Sequence, residues 1–255
     1  GEGGMGEVRR CRDLRIGRDV AMKTVREIAA DRDFVHDRFL REARVQGQLE
    51  HPCIVPVYDL GAREDGTTYF TMKRIRGETL EQILDALRAD DPAASARWTR
   101  RKLLAAFVTA CGAVEYAHSR GVIHRDLKPG NIMLGDFGEV YVLDWGVARV
   151  LDGSADPVTE RIDAPMPELG RTVEGAVIGT AGYMSIEQLS GVSDLDGRAD
   201  VYALGAILFE LLAWEPLHVG TTLPGLVTST LVGPTRAPRC ARRSEMFPLS
   251  STRSA

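Results

Sequence analysis

Apolar and polar positions alternate along the chain with periods that change several times, and those changes mark out elements. "RDVAMKTV" (18–25) is short, rich in β-branched residues and bounded by the turn-like "RIGRD", which predicts a strand. "DRDFVHDRFLREARVQGQLE" (31–50) carries apolar residues at Phe34, Val35, Phe39, Leu40, Ala43 and Leu49, a helical spacing with a charged outer face. "HPCIVPVYDLG" and "TTYFTMKRI" read as two more strands, so the first part of the chain predicts a sheet with one helix packed on it. A helical region comes next in "GETLEQILDALRAD", with Gly77 as its breaker and Asp91–Pro92 as its end. "TRRKLLAAFVTACGAVEYAHSRG" (99–121) is the strongest helical pattern, with apolar positions at Leu103, Leu104, Phe107, Val108, Val114 and Ala117 and Gly121 as a stop. "NIML" and "VYVLD" predict two short strands joined by the turn "GDFGE". The stretch from Arg149 to about Ala176 lacks periodicity and reads as a long exposed loop, and "DVYALGAILFELLAW" (200–214) reads as a buried helix.

Composition narrows the class. The 255 residues suit one large domain or two lobes sharing a cleft, and 44% hydrophobic with 27% charged residues argues against global disorder. The net charge of −4, from 32 basic and 36 acidic residues, carries no basic excess that would point to nucleic acid. Cys11, Cys53, Cys111 and Cys240 are widely spaced with no CxxC pair, which fits reduced thiols in a cytoplasmic compartment better than a disulfide framework or a zinc site. The longest apolar run, "ALGAILFELLAW", is interrupted by Glu210 and is too short to span a bilayer, which takes about 20 apolar residues.

Several segments carry candidate chemistry. "GEGGMGEV" sets Gly1, Gly3 and Gly6 in a G-x-G-x-x-G pattern that lets a backbone approach phosphate; a flexible turn is the other reading. The residues after it are strand-like rather than helical, which favours a hairpin flap over a dinucleotide-binding turn. Lys23 lies in the strand, where it is either a snorkelling surface residue or a functional cation that Glu42, on the helix, could neutralise; Glu27 is a competitor outside the helical spacing. In "HRDLKPGN", Asp126, Lys128 and Asn131 offer a proton acceptor, a cation and an amide oxygen, a set suited to phosphoryl transfer, although the same composition also makes an ordinary surface turn. Asp144, in "LDWG" at the end of an apolar strand, is well placed for a hard cation such as Mg²⁺.

In this order, the Gly-rich loop, "VAMK", the helix Glu, "HRDLKPGN", "DWG" and "GTAGYMSIEQ" resemble the signature of protein kinases, and most of all the bacterial serine/threonine kinases of eukaryotic type. The resemblance implies an α+β, two-lobed fold with a β-rich N-lobe and hinge over 1–75, a mainly helical C-lobe over 76–235, and an atypical tail over 236–255. It implies that Gly1, Glu2, Gly3, Gly4, Met5, Gly6 and Val8 cover ATP phosphates, that Ala21 lines the nucleotide pocket, and that Lys23 holds the α- and β-phosphates while pairing with Glu42. Asp126 would act as base, Lys128 would meet the γ-phosphate, and Asn131 and Asp144 would bind Mg²⁺, with Mn²⁺ as the alternative. Met72, Lys73 and Ile75 look like the adenine hinge, with Lys73 and Arg74 in place of the acidic and aromatic residues often found there.

The likeness also implies regulation and anchoring. Arg125 would pair with a phosphate in the activation loop, with Thr172 the first candidate and Thr159 the second, both also readable as plain loop threonines. Thr180 would bond the catalytic loop, and Asp200 would hold that loop through its amides or cap its own helix. Protein Ser/Thr hydroxyls are the implied substrates, with autophosphorylation among them, in a cytoplasmic domain that stands alone or belongs to a membrane-anchored protein.

There are departures from the pattern. Trp145 replaces the usual Phe of "DFG", and Ile186 replaces Pro before Glu187, a Glu that the family pairs with a late Arg. The chain opens inside the expected first strand, and the Arg- and Ser-rich "APRCARRSEMFPLSSTRSA" stands where further helices are expected. With one choice of codons, 243–253 read in another frame gives Lys-Arg-Asp-Val-Pro-Pro-Glu-Leu-Asp-Ala, the expectation being a frameshift that ends the large lobe early and exposes apolar surface around Ala203–Leu212. The rival expectations are a nucleotide-binding module without turnover and a nonfunctional truncated product.

Overall fold

The computed structural model describes residues 2–3, 6–25, 32–151, 180–192, 194–218, 220 and 223–233, with side chains left aside at 2–3, 32–34 and 223. The chain opens with β1 (Glu2–Gly3), β2 (Gly6–Asp13) and β3 (Arg18–Val25), continues through α1 (Arg32–Gln48), and returns as β4 (Val57–Ala62) and β5 (Thr68–Lys73). The five strands form one antiparallel sheet in the order β1-β2-β3-β5-β4. The apolar face of α1 lies on it through Phe39 and Ala43 against Phe70, with the Phe39 and Phe70 rings 5.0 Å apart. The strand expected across "HPCIVPVYDLG" is shorter than its apolar run. His51–Cys53 turn instead, the Cys53 carbonyl accepts from Val142 N at 2.8 Å, and Ile54 bridges Val142.

From Lys73 the chain crosses to the second lobe in residues 74–76 and enters β6 (Gly77–Thr79). The helical region expected from Gly77 divides here. Gly77 has φ +148°, and a Cβ there would stand 2.0 Å from the Leu134 carbonyl, so the close strand pairing needs glycine. Thr79 then caps α2 (Leu80–Arg88) in a reciprocal box with Gln82. Asp91 begins α3 (Pro92–Arg97) as its N-cap rather than ending the helix before it, and Thr99 caps α4 (Arg100–Ser119).

Beyond α4 come β7 (Val122–Ile123), a 3-10 turn (Pro129–Asn131), β8 (Ile132–Gly135), β9 (Val140–Val142) and β10 (Arg149–Val150). β8 lies between β6 and β9, and β10 pairs with β7. The helices α5 (Ile186–Leu189), α6 (Arg198–Ala213) and α7 (Leu223–Val232) complete the described lobe. One continuous core joins Leu80, Ile83 and Leu84 of α2, Leu103, Phe107 and Val114 of α4, the strand residues Ile132 and Val142, and Ile207 and Leu211 of α6.

The buried stripe of α4 runs through Ala106, Ala110 and Ala113, small residues that hydropathy underweights, while Val108 is 67% exposed. The helix expected to be buried, α6, is buried on one face only. Ala203, Ala206 and Ile207 are inside, whereas Val201 and Leu212 are exposed. Among the described residues no helix is long and apolar enough to cross a membrane. The tail 236–255 and Cys240 lie outside the described residues.

Candidate active site

The loop after β7 is built on a buried carboxylate. Asp200, 1% exposed in the first turn of α6, accepts from the backbone amides of His124 and Arg125 at 2.8 Å each and meets His118 Nε2 at 2.7 Å. It is not an N-cap, since Gly197 occupies that position without a side-chain cap. Arg125 has φ +66°, a conformation unfavourable for a residue with a Cβ, and the two hydrogen bonds to Asp200 hold it there. A side chain at Gly197 would strike the His118 ring at 2.9 Å, so the approach of α6 to α4 depends on that glycine.

The His124 ring orders the loop from within. Its Nε2 is 2.9 Å from the Leu143 carbonyl, which only accepts, so the proton sits on Nε2 and leaves Nδ1 to accept from Asp126 N at 3.3 Å. The Asp126 carboxylate is thereby presented to a cluster. Asn131 Nδ2 donates to its Oδ2 at 3.2 Å and to its backbone oxygen at 2.8 Å, and Lys128 Nζ lies 3.1 Å from Oδ2. Thr180 donates to Oδ1 from its amide at 3.1 Å and its hydroxyl at 3.4 Å, and accepts from Lys128 Nζ at 2.8 Å. Asp126, Lys128, Asn131 and Thr180 therefore converge.

β9 delivers Asp144 beside this cluster. Leu143 N bonds to the Asn131 carbonyl at 2.8 Å, and Asp144 adopts φ +62° with Gly146 N 3.3 Å from its Oδ1. Trp145 is fully buried, 4.7 Å from the His124 ring, and its indole N–H reaches the Val142 carbonyl at 3.4 Å. The larger ring thus keeps an aromatic body in the core and finds an acceptor for its extra donor. The other "DFG" (136–138) lies in the β8–β9 turn with Phe137 94% exposed.

The small lobe contributes Lys23, which sits in β3 between Val8 of β2 and Phe70 of β5. Its Nζ is 2.5 and 2.7 Å from the two oxygens of Glu42 on α1. Burial, aided by Asp144, pushes the Glu42 carboxyl above the ordinary carboxylate range, while Lys23 pulls it back. In the Gly-rich segment Glu2 pairs with Glu7 and Gly3 with Gly6, a hairpin; Gly1, Gly4 and Met5 are outside the described residues, as is Glu27. Ala21 pairs with Met72 at the end of β5. Lys73 Nζ donates to Tyr141 Oη at 2.6 Å and Arg74 to Asp19 at 3.3 Å, which draws both side chains off to protein partners and leaves the backbone through Ile75.

Around Arg125 the charge is positive. Burial and the neighbouring Arg41, Arg149 and Arg38 bring its guanidinium down to about 10, and its Nε donates to the Val147 carbonyl at 2.7 Å. Thr172 and Thr159 lie outside the described residues. Glu187 is exposed on α5, apart from the cluster, with no ion pair among the described residues.

Sequence reasoning missed one anchor. Tyr183, three residues after Thr180, donates to Glu210 on α6 at 2.5 Å, and Glu210 also pairs with Arg88 of α2, whose Nε reaches the Trp214 carbonyl at 2.9 Å. Burial and the Glu210 carboxylate push the Tyr183 phenol up, so it stays a donor. The signal was available: Glu210 is a lone charge inside "ALGAILFELLAW", and a buried carboxylate needs partners.

A β-sheet lobe whose helix carries a carboxylate to a strand lysine, set over a helical lobe that presents Asp126, Lys128 and Asn131, defines the two-lobed kinase class of fold. The family model for the protein kinase domain matches residues 1–230, and the chain belongs to that family. It is 41% identical over 218 residues to the serine/threonine-protein kinase PknD of Chlamydia abortus, an alignment covering 83% of this chain and 23% of that protein. PknD of Protochlamydia amoebophila is 38% identical over 231 residues (87% and 23%), and PknB of Mycolicibacterium smegmatis is 38% identical over 252 residues (97% and 36%). The chain spans only a quarter to a third of the length of these relatives. The family uses ATP and a divalent metal.

Proposed function

We propose that this chain is a serine/threonine protein kinase domain that transfers the γ-phosphoryl group of ATP to Ser or Thr hydroxyls of proteins. The observation that carries the reading is the convergence of Asn131, Lys128 and Thr180 on the Asp126 carboxylate, with the Lys23–Glu42 pair in the other lobe. Asp126 orients the incoming hydroxyl and takes its proton as the oxygen–phosphorus bond forms and the bond to the β-phosphate oxygen breaks. Lys128 balances charge on the transferred group, and Lys23, held by Glu42, grips the α- and β-phosphates beneath the hairpin of Gly3, Gly6 and Val8. The backbone from Met72 to Ile75 receives the base.

The donor set suits Mg²⁺, with Mn²⁺ taking the same ligands. Asn131 commits its amide nitrogen to Asp126, which leaves its oxygen for a cation, and Asp144 keeps an oxygen that no hydrogen bond among the described residues occupies. Bound with ATP, the metal supplies charge neutralisation on the phosphates.

The positive surroundings of Arg125 support a regulatory phosphate on Thr172 first and Thr159 second, reached by autophosphorylation. The net charge of −4 favours protein over nucleic acid as substrate, and the three described thiols, all free, fit a cytoplasmic domain, whether alone or anchored through a longer protein.

Incorporation of labelled phosphate into a protein substrate, with Asp126→Asn as control, tests the reading. Transfer by the wild type alone supports it, and equal incorporation by both overturns it. Thermal stabilisation by ATP without transfer would identify a nucleotide-binding module instead, and failure to obtain folded protein would favour a nonfunctional product.

A further inference from the structure

Three residues, 74–76, connect the five-stranded sheet to β6 and the second lobe. So short a strap limits the separation of the lobes but does little to resist their rotation. Two contacts that bypass it converge on β9. The Val142 amide bonds to the Cys53 carbonyl at 2.8 Å, and the adjacent Tyr141 Oη accepts from Lys73 Nζ at 2.6 Å. Tyr141 is 3% exposed and pairs in register with Met133 of β8, so its ring is fixed in the large lobe. Lys73 is the last residue of β5 and pairs with Val20 of β3, so its backbone is fixed in the small lobe.

Lys73 is otherwise solvent-facing, and an exposed lysine ordinarily keeps its rotamer freedom. Holding it against one buried phenol therefore has to be compensated by the bond itself, which is charge-assisted and shielded on the Tyr141 side. The hydrogen bond to Tyr141 holds the Lys73 ammonium above its ordinary range, so the donor is charged at any working pH. Three residues beyond Tyr141 the same strand delivers Asp144.

We infer that Lys73 and Tyr141 are a positioning pair that braces the hinge, holding the backbone of residues 72–75 in register with β9 and so raising affinity for the nucleotide base. The nucleotide part of this inference rests on the kinase reading; the brace does not.

The test compares the full chain with Tyr141→Phe, which keeps the ring and removes the acceptor, with Lys73→Met, which keeps the stem, and with the double variant. Amide hydrogen exchange of residues 74–78 is measured without nucleotide, and binding of Mg²⁺-ATP by calorimetry. The brace predicts exchange and Kd each rising about fivefold in either single variant, with the double variant no worse because both remove the same bond. In turnover, the KM for ATP rises while kcat stays within about twofold, a loss of uniform binding. Unchanged hinge exchange in both single variants, or effects that add in the double variant, would overturn the brace. A loss of melting temperature with hinge exchange and Kd unchanged would reduce the pair to a packing contact and overturn it as well. Wild type that fails to bind Mg²⁺-ATP would count against the kinase reading alone, because hinge exchange still decides the brace.

Discussion

The two halves of the cleft are held by different means. In the large-lobe half, the position of Asp126 is set by backbone: two amides of its loop end on the buried Asp200, and its own amide ends on His124. In the small-lobe half, the backbone of Lys23 is set by the sheet but its ammonium is held by one side-chain pair, to Glu42 on a helix that packs on the sheet through Phe39 and Ala43 against Phe70. The first arrangement cannot change without unfolding the loop. The second joins two separate elements, and a shift of α1 that parts Lys23 from Glu42 would also disturb the Arg38 bond to the Gly146 carbonyl and the His36 contact with Thr68. The large-lobe half is thus knit within one loop and its anchor, and the small-lobe half across a strand and a helix, where a change in either element alters the pair.

The largest expected effect separates chemistry from scaffold. Asp126→Asn keeps the shape and one of the two acceptor oxygens of the cluster but cannot take a proton, so phosphoryl transfer should fall about a thousandfold while the chain stays folded. Substitution of Asp200 by Ala should do the reverse in kind. It leaves the His124 and Arg125 amides and His118 without their acceptor in a buried site, at about 3 kcal/mol of stability, or more than a hundredfold in the folding equilibrium. Chemical denaturation checks it. An Asp200→Ala protein as stable as wild type would mean that the loop is not held as argued.

On the small-lobe side, Lys23→Met should lower transfer about a hundredfold, as for loss of one charged donor at a reacting phosphate, while stability falls by less than for Asp200→Ala. The loss is limited because Glu42 can respond: without Lys23 burial holds its carboxyl still further above the ordinary range, which costs stability at neutral pH but less than leaving three donors at a buried site without an acceptor. Lys23→Met and Asp200→Ala losing stability equally would erase the contrast between the halves.

Legibility in the sequence divides in the same way, by range. "RDVAMKTV" and the helix carrying Glu42 are local patterns, and β3 and α1 lie where periodicity puts them. "HRDLKPGN" is legible because its chemistry is concentrated in eight consecutive residues. Asp200 could be named only through the family resemblance, since its partners lie 76 and 75 positions away and nothing local marks their meeting. Lys73 with Tyr141 and Arg88 with Glu210 join positions 68 and 122 apart, and hydropathy carries no information at that distance. The misreading of Val108 has another cause: an alanine stripe on α4 buries area without hydropathic weight, so hydropathy groups Val108 with Leu103, Phe107 and Val114, which are buried, although it lies on the exposed side. Gly77 is legible as a breaker but not as the glycine that a close strand crossing requires.

A smaller effect tests whether the large-lobe anchoring extends to the segment after Thr180. Tyr183→Phe removes one bond to Glu210 and leaves Arg88 in place. Stability should fall by about 1 kcal/mol, and the KM for protein substrate should rise with the KM for ATP unchanged. Equal changes in both would place Tyr183 with the nucleotide rather than with the substrate segment.

The smallest effect at neutral pH, and the sharpest discriminator, is the titration of Glu42. Burial and Asp144 raise its folded-state value above the ordinary 4.5, with Lys23 and Arg38 opposing. Between 4.5 and that raised value the folded chain binds more proton than the unfolded chain, so the contribution of this group to stability is full below 4.5 and declines as pH rises through the window. The ion pair with Lys23 behaves oppositely, because it needs Glu42 ionised and forms only as pH rises through the same window. Transfer activity should therefore rise with pH where this group's stability contribution falls. Glu42→Gln cannot titrate and should remove both trends together, leaving activity lower at neutral pH but flatter toward acid. Denaturation and transfer rates measured from pH 4.5 to about 7 on the two proteins decide it. An acid limb that survives unchanged in Glu42→Gln would show that the Lys23–Glu42 pair is not its source.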